Sequence, residues 1–194
     1  MSLRLVLGLP PQHRRAAAQL YWQAFGGKLN QVMGPEPRAL AYLMRVIRPD
    51  HAIVALEGDR LLGLAGFKTW QGAFAGGGFD DLRAVYGLPG ALWRSALLWC
   101  LQREIDNTHL LLDGICVDRS ARSTGIGTAL LAAICAEARQ RGYPGVRLDV
   151  IDTNWRARAL YERNGFVVTG TQRLGPLRHV FGFAAATTMV RQLG

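Results

Sequence analysis

The chain has 194 residues, of which 49% are hydrophobic and 19% charged, values that exclude a disordered or collagen-like protein. A chain of this length suits one compact domain with a substantial buried core. Its net charge of +9 favours anionic ligands such as a polyphosphate, but the basic residues are spread along the chain rather than clustered, so nucleic-acid binding is not expected.

The sequence shows no pattern typical of a membrane span, a disulfide framework or a metal site. No apolar segment approaches the ~20 residues of a membrane-spanning helix, and we do not expect the first residues to act as a signal peptide. We therefore expect a cytoplasmic protein that does not bind membranes. Cys100, Cys116 and Cys135 form no CxxC pair and have no histidine at metal-ligand spacing, so we expect no metal. All three cysteines are expected to be small buried side chains.

The first half of the chain alternates between strand and helix patterns. The predicted elements are a strand over 3–7, a helix over 12–25, a helix that begins at 35–37, hairpin strands over 52–56 and 61–67, a glycine loop over 72–78, and helices over 80–86 and 91–105. Gly26 and Gly27 are expected to end the first helix. Trp70, Trp93 and Trp99 are expected to pack in the core, the alternative being a cage for a substrate.

The second half shows stronger patterns. The predicted elements are a strand over 110–117, a loop over 119–127, a helix over 128–141, a strand over 146–151, a short helix that runs from its cap at 154 to 164, and closing strands over 166–170 and 187–193. The nearly unbroken apolar run 110–117 predicts a strand buried on both faces. This order predicts a single α/β domain over 1–194 with at least one parallel pair of strands.

The segment after the strand 110–117 has the composition of an anion-binding site. It reads Arg122-Ser123-Thr124-Gly125-Ile126-Gly127-Thr128 and leads into a helix. The first turn of a helix offers unpaired N–H groups and a partial positive charge, and glycine lets a phosphate approach them closely. The segment lacks the lysine of a P-loop and the third glycine of a dinucleotide-binding motif, which leaves a pyrophosphate site of the form RxxGxG.

Two motifs together resemble the GNAT superfamily of acetyl-CoA-dependent N-acetyltransferases. The first runs from Leu110 to Leu131 as LLLDGICVDRSARSTGIGTALL, and the second from Arg147 to Phe166 as RLDVIDTNWRARALYERNGF. They stand in the order and spacing of the family over about 57 residues. The resemblance implies an α/β (α+β) fold, with a central mixed, mostly antiparallel sheet, a splayed parallel pair of strands and helices on both faces.

The resemblance also implies a binding site for acetyl-CoA as cosubstrate, without a metal. The pantetheine arm would insert between the strands 110–117 and 146–151, and the Val117 N–H would polarise the thioester carbonyl. The pyrophosphate would bind the loop 122–128, and Asn154 would contact the arm. The implied cofactor-binding residues are Ile115, Cys116, Val117, Arg122, Ser123, Thr124, Gly125, Ile126, Gly127, Thr128, Asn154 and Tyr161.

Two residues are candidates for acid–base catalysis. Tyr161 stands where the family places the general acid that protonates the CoA thiolate. Asp113 lies nine residues before Arg122, where many relatives carry an acidic residue, and we interpret it as the general base that deprotonates the amine, directly or through water. The alternatives are a packed aromatic for Tyr161 and a capping or ion-paired residue for Asp113. Arg158 and Arg163 are expected to be solvated or ion-paired.

The sequence departs from the family pattern in two places. Ser123 and Thr124 replace a glycine and a basic residue that relatives often have, so Arg122 is the main cation expected near the phosphates. Residues 68–109 form a long connection, which we expect to line the amine-acceptor site. The same segment could instead form a homodimer contact, because it carries an apolar stripe made of Leu92, Trp93, Ala96, Trp99 and Cys100.

These features predict an enzyme that transfers an acetyl group from acetyl-CoA to a primary amine by direct attack in a ternary complex. Small molecules and peptides both qualify as the acceptor. The alternative is a non-catalytic module that binds or senses acyl-CoA. The presence of both Tyr161 and Asp113, one as acid and one as base, favours the enzyme.

Overall fold

The computed structural model describes residues 3–101 and 108–194, in which eight strands form one sheet with helices against it. The strands are β1 (Arg4–Leu7), β2 (Ala52–Glu57), β3 (Arg60–Thr69), β4 (Gly72–Ala73), β5 (Leu110–Val117), β6 (Gly145–Ile151), β7 (Val167–Arg173) and β8 (Ala185–Gln192). The helices are α1 (Arg14–Met33), α2 (Glu36–Val46), α3 (Phe79–Leu101), α4 (Ile126–Gln140), α5 (Trp155–Arg163) and α6 (Arg178–Phe181). Short 3-10 turns lie at Pro11–His13, Pro49–His51, Arg119–Ala121 and Gly175–Leu177.

The sheet is mixed and mostly antiparallel, as predicted. Its order is β1-β2-β3-β5-β6-β8-β7, with β4 paired to β3. Every neighbouring pair is antiparallel except β5 and β6, which run parallel. The parallel pairing ends at Leu112↔Leu148, although β5 continues to Val117 and β6 to Ile151. The two strands therefore diverge over their carboxyl-terminal halves, which confirms the splayed pair.

Two apolar clusters cover the two faces of the sheet. Because side chains alternate along a strand, Ile53 and Ala55 of β2 pack with the cluster that includes α4, whereas Ala52, Val54 and Leu56 pack with the cluster of α1, α2 and α3. The expectation of helices on both faces is thus confirmed. On β5 only alternate residues are fully buried, so the prediction that both of its faces are buried was wrong. The other face of β5 opens onto cavities.

The boundaries of two helices differ from the prediction. Helix α1 continues through Gly26 and Gly27 to Met33, because the burial of Val32 and Met33 outweighs a cost of about 1 kcal/mol per helical glycine. The predicted break between two helices at Gly87 is present as a bend in α3, where this residue has a φ of 72°. The predicted end of the second of these helices lies outside the described residues.

Three tryptophans were predicted to lie in the core, and this prediction was wrong. The exposed fractions of Trp70, Trp93 and Trp99 are 74%, 42% and 73%. Cys116 and Cys135 are buried as expected, while the side chain of Cys100 lies outside the described residues. Along the described part of the chain, no helix combines the length and hydropathy that crossing a bilayer requires. No group of three or more metal-binding side chains occurs among these residues either.

Candidate active site

The divergence of β5 and β6 coincides with an irregularity in β5. Between β3 and β5 the register changes from Gly66↔Gly114 to Phe67↔Leu112, which leaves Asp113 as an extra, bulged residue. A bulge of this kind bends the strand and changes the direction of a side chain. Asp113 is exposed, whereas both of its neighbours on β5 are buried. The sheet thus presents a carboxylate at the point where its two parallel strands separate.

A cavity of about 680 Å³ lies over the ends of β5 and β6, and we call it the loop cavity. Its wall includes parts of α1, the loop before α4, and α5. Most of the residues predicted to bind the cofactor line it, namely Ile115, Cys116, Val117, Arg122, Ser123, Gly125, Gly127, Thr128, Asn154 and Tyr161. The structure therefore brings together residues from two motifs that are separate in the sequence.

The backbone of the loop suits an anion. Gly125 precedes the first residue of α4 with a φ of 89°, a conformation that favours glycine, and a Cβ atom there would meet nothing within 4 Å. The first N–H groups of α4 have no carbonyl partner within the helix, and Gly127 and Thr128 of this turn line the cavity. Loop and helix start together form a concave surface of hydrogen-bond donors.

Two predicted cofactor-binding residues have side chains directed elsewhere. The Thr124 hydroxyl donates a hydrogen bond of 2.7 Å to the Ala121 carbonyl, and the Ile126 side chain is 5% exposed within the core. Thr124 and Ile126 would therefore contact a ligand in the loop cavity only through their backbone groups. That contact stays a prediction.

Arginines give the loop cavity a positive charge. The described residues that line it include four arginines and no carboxylate, and the arginines are Arg119, Arg122, Arg156 and Arg163. The Arg122 Nε donates a hydrogen bond of 3.3 Å to the Val117 carbonyl at the end of β5. Arg158 instead forms an ion pair of 2.9 Å with Glu162, as expected. Arg163 was expected to be solvated or ion-paired and instead lines the cavity, whereas Arg119 and Arg156 were not considered. The spacing of residues 156 and 163 puts them on one face of α5.

Tyr161 and Asn154 join α5 to the loop cavity. Tyr161 is 8% exposed, and burial raises the pKa of its phenol, with a smaller contribution from the nearby Cys116 thiol. The Asn154 Oδ1 accepts a hydrogen bond of 3.3 Å from the Ala157 N–H and so caps the helix. The amide nitrogen of Asn154 is then the donor that its side chain can offer to a ligand. Tyr161 offers a neutral phenol in a largely dry environment.

A second cavity, of about 560 Å³, lies on β5 and β6 beside Asp113, and we call it the aspartate cavity. Its charged lining residues are Lys68, Asp113 and Asp149. The segment 68–109 supplies most of the remaining wall, with Ala73, Ala75, Gly76, Gly77, Gly78, Phe79, Leu82, Ser95, Leu98 and Trp99. The long connection thus shapes a cavity next to the candidate base, and its role in acceptor binding stays a prediction.

Helix α1 contributes to both sides of the site, which the sequence analysis did not anticipate. The Tyr21 hydroxyl donates a long hydrogen bond of 3.5 Å to the Asp113 Oδ2, while Gln23, Ala24 and Gly27 line the loop cavity. Burial raises the pKa of Tyr21 well above its ordinary value, and the Asp113 charge adds to this effect. In the sequence Tyr21 has only the helical spacing of a core residue, so no local signal separates it from the core.

Comparisons with known proteins agree with this geometry. A model of the Acetyltransferase (GNAT) family matches residues 14–166, which is most of the chain. The GCN5-related N-acetyltransferase 6, chloroplastic, of Arabidopsis thaliana is 30% identical over 89 residues. That match covers 46% of this chain and 31% of the plant protein, so the chain spans less than a third of that relative.

Solved structures share the fold at low sequence identity. An N-acetyltransferase from Staphylococcus aureus Mu50 superposes with a TM-score of 0.67 at 15% identity, covering 96% of this chain and 99% of that one. A proposed streptothricin acetyltransferase from Bacillus anthracis str. Ames, in complex with acetyl coenzyme A, has a TM-score of 0.51 at 19% identity, covering 74% of this chain and 62% of that one. These likenesses show that the fold is shared. The family match supports acetyl transfer as the reaction class, and the chain belongs to the GNAT acetyltransferase family.

Proposed function

We propose that the protein transfers an acetyl group from acetyl-CoA to a primary amine by direct attack in a ternary complex. The observation that carries this proposal is the position of two cavities on either side of one bulged strand. Asp113 lines the aspartate cavity, and Ile115 to Val117 line the loop cavity. Two ligands bound in these cavities would meet along β5, so no carrier residue is needed between them.

The loop cavity fits the charges and shape of the cosubstrate. The N–H groups at the start of α4 and the Arg122 guanidinium would hold the pyrophosphate, and the other arginines would supply further cations. The pairing of β5 with β6 ends at Leu112, and backbone groups between Ile115 and Val117 would hydrogen-bond the pantetheine arm on this side of β5. When bound, acetyl-CoA supplies a thioester carbon that accepts the amine and a thiolate that leaves.

The protons of the reaction are assigned to two side chains. The ammonium form of the acceptor transfers one proton to the Asp113 carboxylate, directly or through water, and the neutral amine then attacks the thioester carbon. A carbon–nitrogen bond forms as the carbon–sulfur bond breaks. Because burial keeps the Tyr161 phenol neutral, it donates its proton to the leaving thiolate, which becomes the CoA thiol. The nitrogen loses its second proton as the amide forms, and this proton returns to the Tyr161 oxygen, while Asp113 releases the first proton to solvent. The products are the acetylated amine, CoA and one proton.

Two glycines at opposite ends of α4 provide a matched test of the cofactor site. Gly125 and Gly142 both have positive φ values, of 89° and 78°, and a Cβ at either one would meet nothing within 4 Å. Gly125→Glu and Gly142→Glu should each cost about 1–2 kcal/mol of stability through backbone strain. Only Gly125→Glu puts a carboxylate in the loop cavity, so it alone should abolish acetyl-CoA binding in isothermal titration.

Release of CoA with a panel of primary amines then tests transfer itself. Acetyl-CoA binding by the wild type that only Gly125→Glu abolishes, followed by CoA release with an amine, supports the proposal. Absence of binding in the wild type overturns it. Binding without CoA release for any primary amine would instead identify an acyl-CoA-binding module.

A further inference from the structure

Asp113 and Asp149 occupy equivalent places on the two diverging strands. The last parallel pair is Leu112↔Leu148, so these aspartates are the next residue on each strand. Leu112 and Leu148 both pack into the cluster under α4, and the following side chains both line the aspartate cavity on the opposite face. Each of the two strands therefore carries one carboxylate at the point where β5 and β6 begin to diverge.

Hydrogen bonds from hydroxyl groups orient both carboxylates. The Thr188 hydroxyl of β8 donates a hydrogen bond of 2.6 Å to the Asp149 Oδ1, and the Tyr21 hydroxyl donates to the Asp113 Oδ2. The charged side chains among the described residues that line the cavity are Lys68, Asp113 and Asp149. This part of the wall offers carboxylate oxygens to a cationic group, in contrast with the arginine-rich loop cavity.

The aspartate cavity also has apolar and aromatic side chains in its wall. Tyr42, Phe79, Leu98 and Trp99 contribute to its wall. A smaller apolar cavity of about 110 Å³ lies next to it, shares Tyr42, Ala75 and Leu98 with it, and is lined further by residues of α1 and α2. A ligand that bound here would place a charged group at the aspartates and an apolar group against the aromatic wall.

We infer that the acceptor is a small cationic amine with an apolar, preferably aromatic, body and no carboxylate beside the amino group. This inference rests on the proposed function and names the substrate class of the same site. The ammonium group binds between Asp113 and Asp149 before Asp113 removes a proton. Asp149 is then a determinant of specificity, because its charge attracts a cationic amine and repels an α-carboxylate. An amino acid would place its own carboxylate against these two side chains.

Two probes that differ by one group test this assignment. 2-Phenylethylamine and phenylalanine share the phenyl ring and the two-carbon chain, and only phenylalanine carries an α-carboxylate. With the wild type, kcat/KM for CoA release should be about 10- to 100-fold higher for 2-phenylethylamine, the range that one charged hydrogen bond contributes. Asp149→Asn should raise KM for 2-phenylethylamine by about 10-fold or more, change kcat little and reduce the preference.

Thr188→Val is the matched control for Asp149→Asn. It removes the hydrogen bond from Thr188 and keeps the Asp149 charge, whereas Asp149→Asn removes the charge and keeps an oxygen that accepts this bond. The KM of Thr188→Val should therefore stay within about threefold of the wild type. Thermal unfolding of both variants reports whether the fold is intact. CoA release that favours phenylalanine, or an unchanged KM in a folded Asp149→Asn variant, overturns this inference and leaves the proposed function standing. Acetyl-CoA binding without release for any amine overturns both.

Discussion

The Tyr21 hydroxyl lies 3.5 Å from the Asp113 Oδ2 and so connects α1 to the bulged residue of β5. The two residues are 92 positions apart in the chain. The phenol is nearly buried and its pKa is raised well above the ordinary value, so it acts as a donor and never as a competing base. Helix α1 thereby places a fixed hydrogen-bond donor at the candidate general base.

Tyr21→Phe should lower kcat/KM by removing a hydrogen bond that positions the candidate base. The Tyr21 hydroxyl donates to the Asp113 Oδ2, and phenylalanine cannot replace this donor. A bond of this length is weak, so the loss of kcat/KM should be about 2- to 10-fold. Tyr143→Phe changes a tyrosine that lines neither cavity and should leave kcat/KM unchanged. An unchanged kcat/KM in folded Tyr21→Phe would show that the contact has no role in catalysis.

Tyr161→Phe tests the candidate general acid. The phenol is buried against the loop cavity, and removal of its oxygen should lower kcat by about 100-fold or more, since positioned acids contribute about 10²–10⁴ to rates. Titration with acetyl-CoA should give an unchanged affinity, because the phosphate contacts remain. A kcat within twofold of the wild type would assign Tyr161 a packing role.

Cys116→Ala is the companion variant to Tyr161→Phe. Cys116 lines the same cavity and influences the pKa of Tyr161, yet direct attack requires no covalent acyl-enzyme. We expect kcat to stay within about threefold, because the change removes one buried sulfur and no reacting group. Complete loss of turnover in a folded Cys116→Ala variant would contradict direct transfer.

Several elements around the site were predicted from local sequence. The glycine loop before α4, the cap at Asn154 and the strand over 110–117 are properties of a few consecutive residues. The order of strands and helices was enough to predict at least one parallel pair, whereas the meeting of the two motifs at one site was implied by the resemblance to a known family. Asp113 could not be identified as the bulged residue without the register of β3.

The parts that were missed depend on packing between distant segments. The glycine pair in α1 is a helix-ending signal on its own, and only the burial of Val32 and Met33 shows why the helix continues past it. The alternation along β6 places Asp149 on a face of the sheet without showing that this face opens onto a cavity. The exposure of Trp99 likewise depends on which elements cover α3, and a single sequence does not contain that information.

Buried tyrosines should make the protein sensitive to alkaline pH. Burial raises the pKa of Tyr21 and Tyr161, and it raises the pKa of Tyr42 to about 12. Below a pH of about 10 these phenols are neutral in both the folded and the unfolded chain. Above it they ionise in the unfolded chain first, so the folded chain binds more protons and the free energy of unfolding falls as pH rises.

Urea unfolding at several pH values and absorbance at 295 nm test this expectation together. Stability should be constant with respect to these groups below pH ~10 and should decrease above it, while the tyrosinate signal of the folded protein lags behind that of the unfolded chain. A full tyrosinate signal that appears before unfolding would show that the phenols are accessible to hydroxide in the folded state.

Gly114→Ala should destabilise the junction between α1 and β5. A Cβ atom at this position would lie too close to the Phe25 Cζ, and the Phe25 ring in turn packs on Tyr21 with a centroid distance of 4.5 Å. Displacing this ring in a packed core should lower the free energy of unfolding in urea by about 1–3 kcal/mol. Phe25→Leu in the same chain should restore part of this loss.

Gly27→Ala is the control, since its Cβ would meet nothing within 4 Å and a helical alanine should raise the free energy of unfolding by about 0.5–1 kcal/mol. Equal stability of Gly114→Ala and the wild type would show that Phe25 can move away from β5 without cost, and Tyr21 would then lack a rigid support beside Asp113.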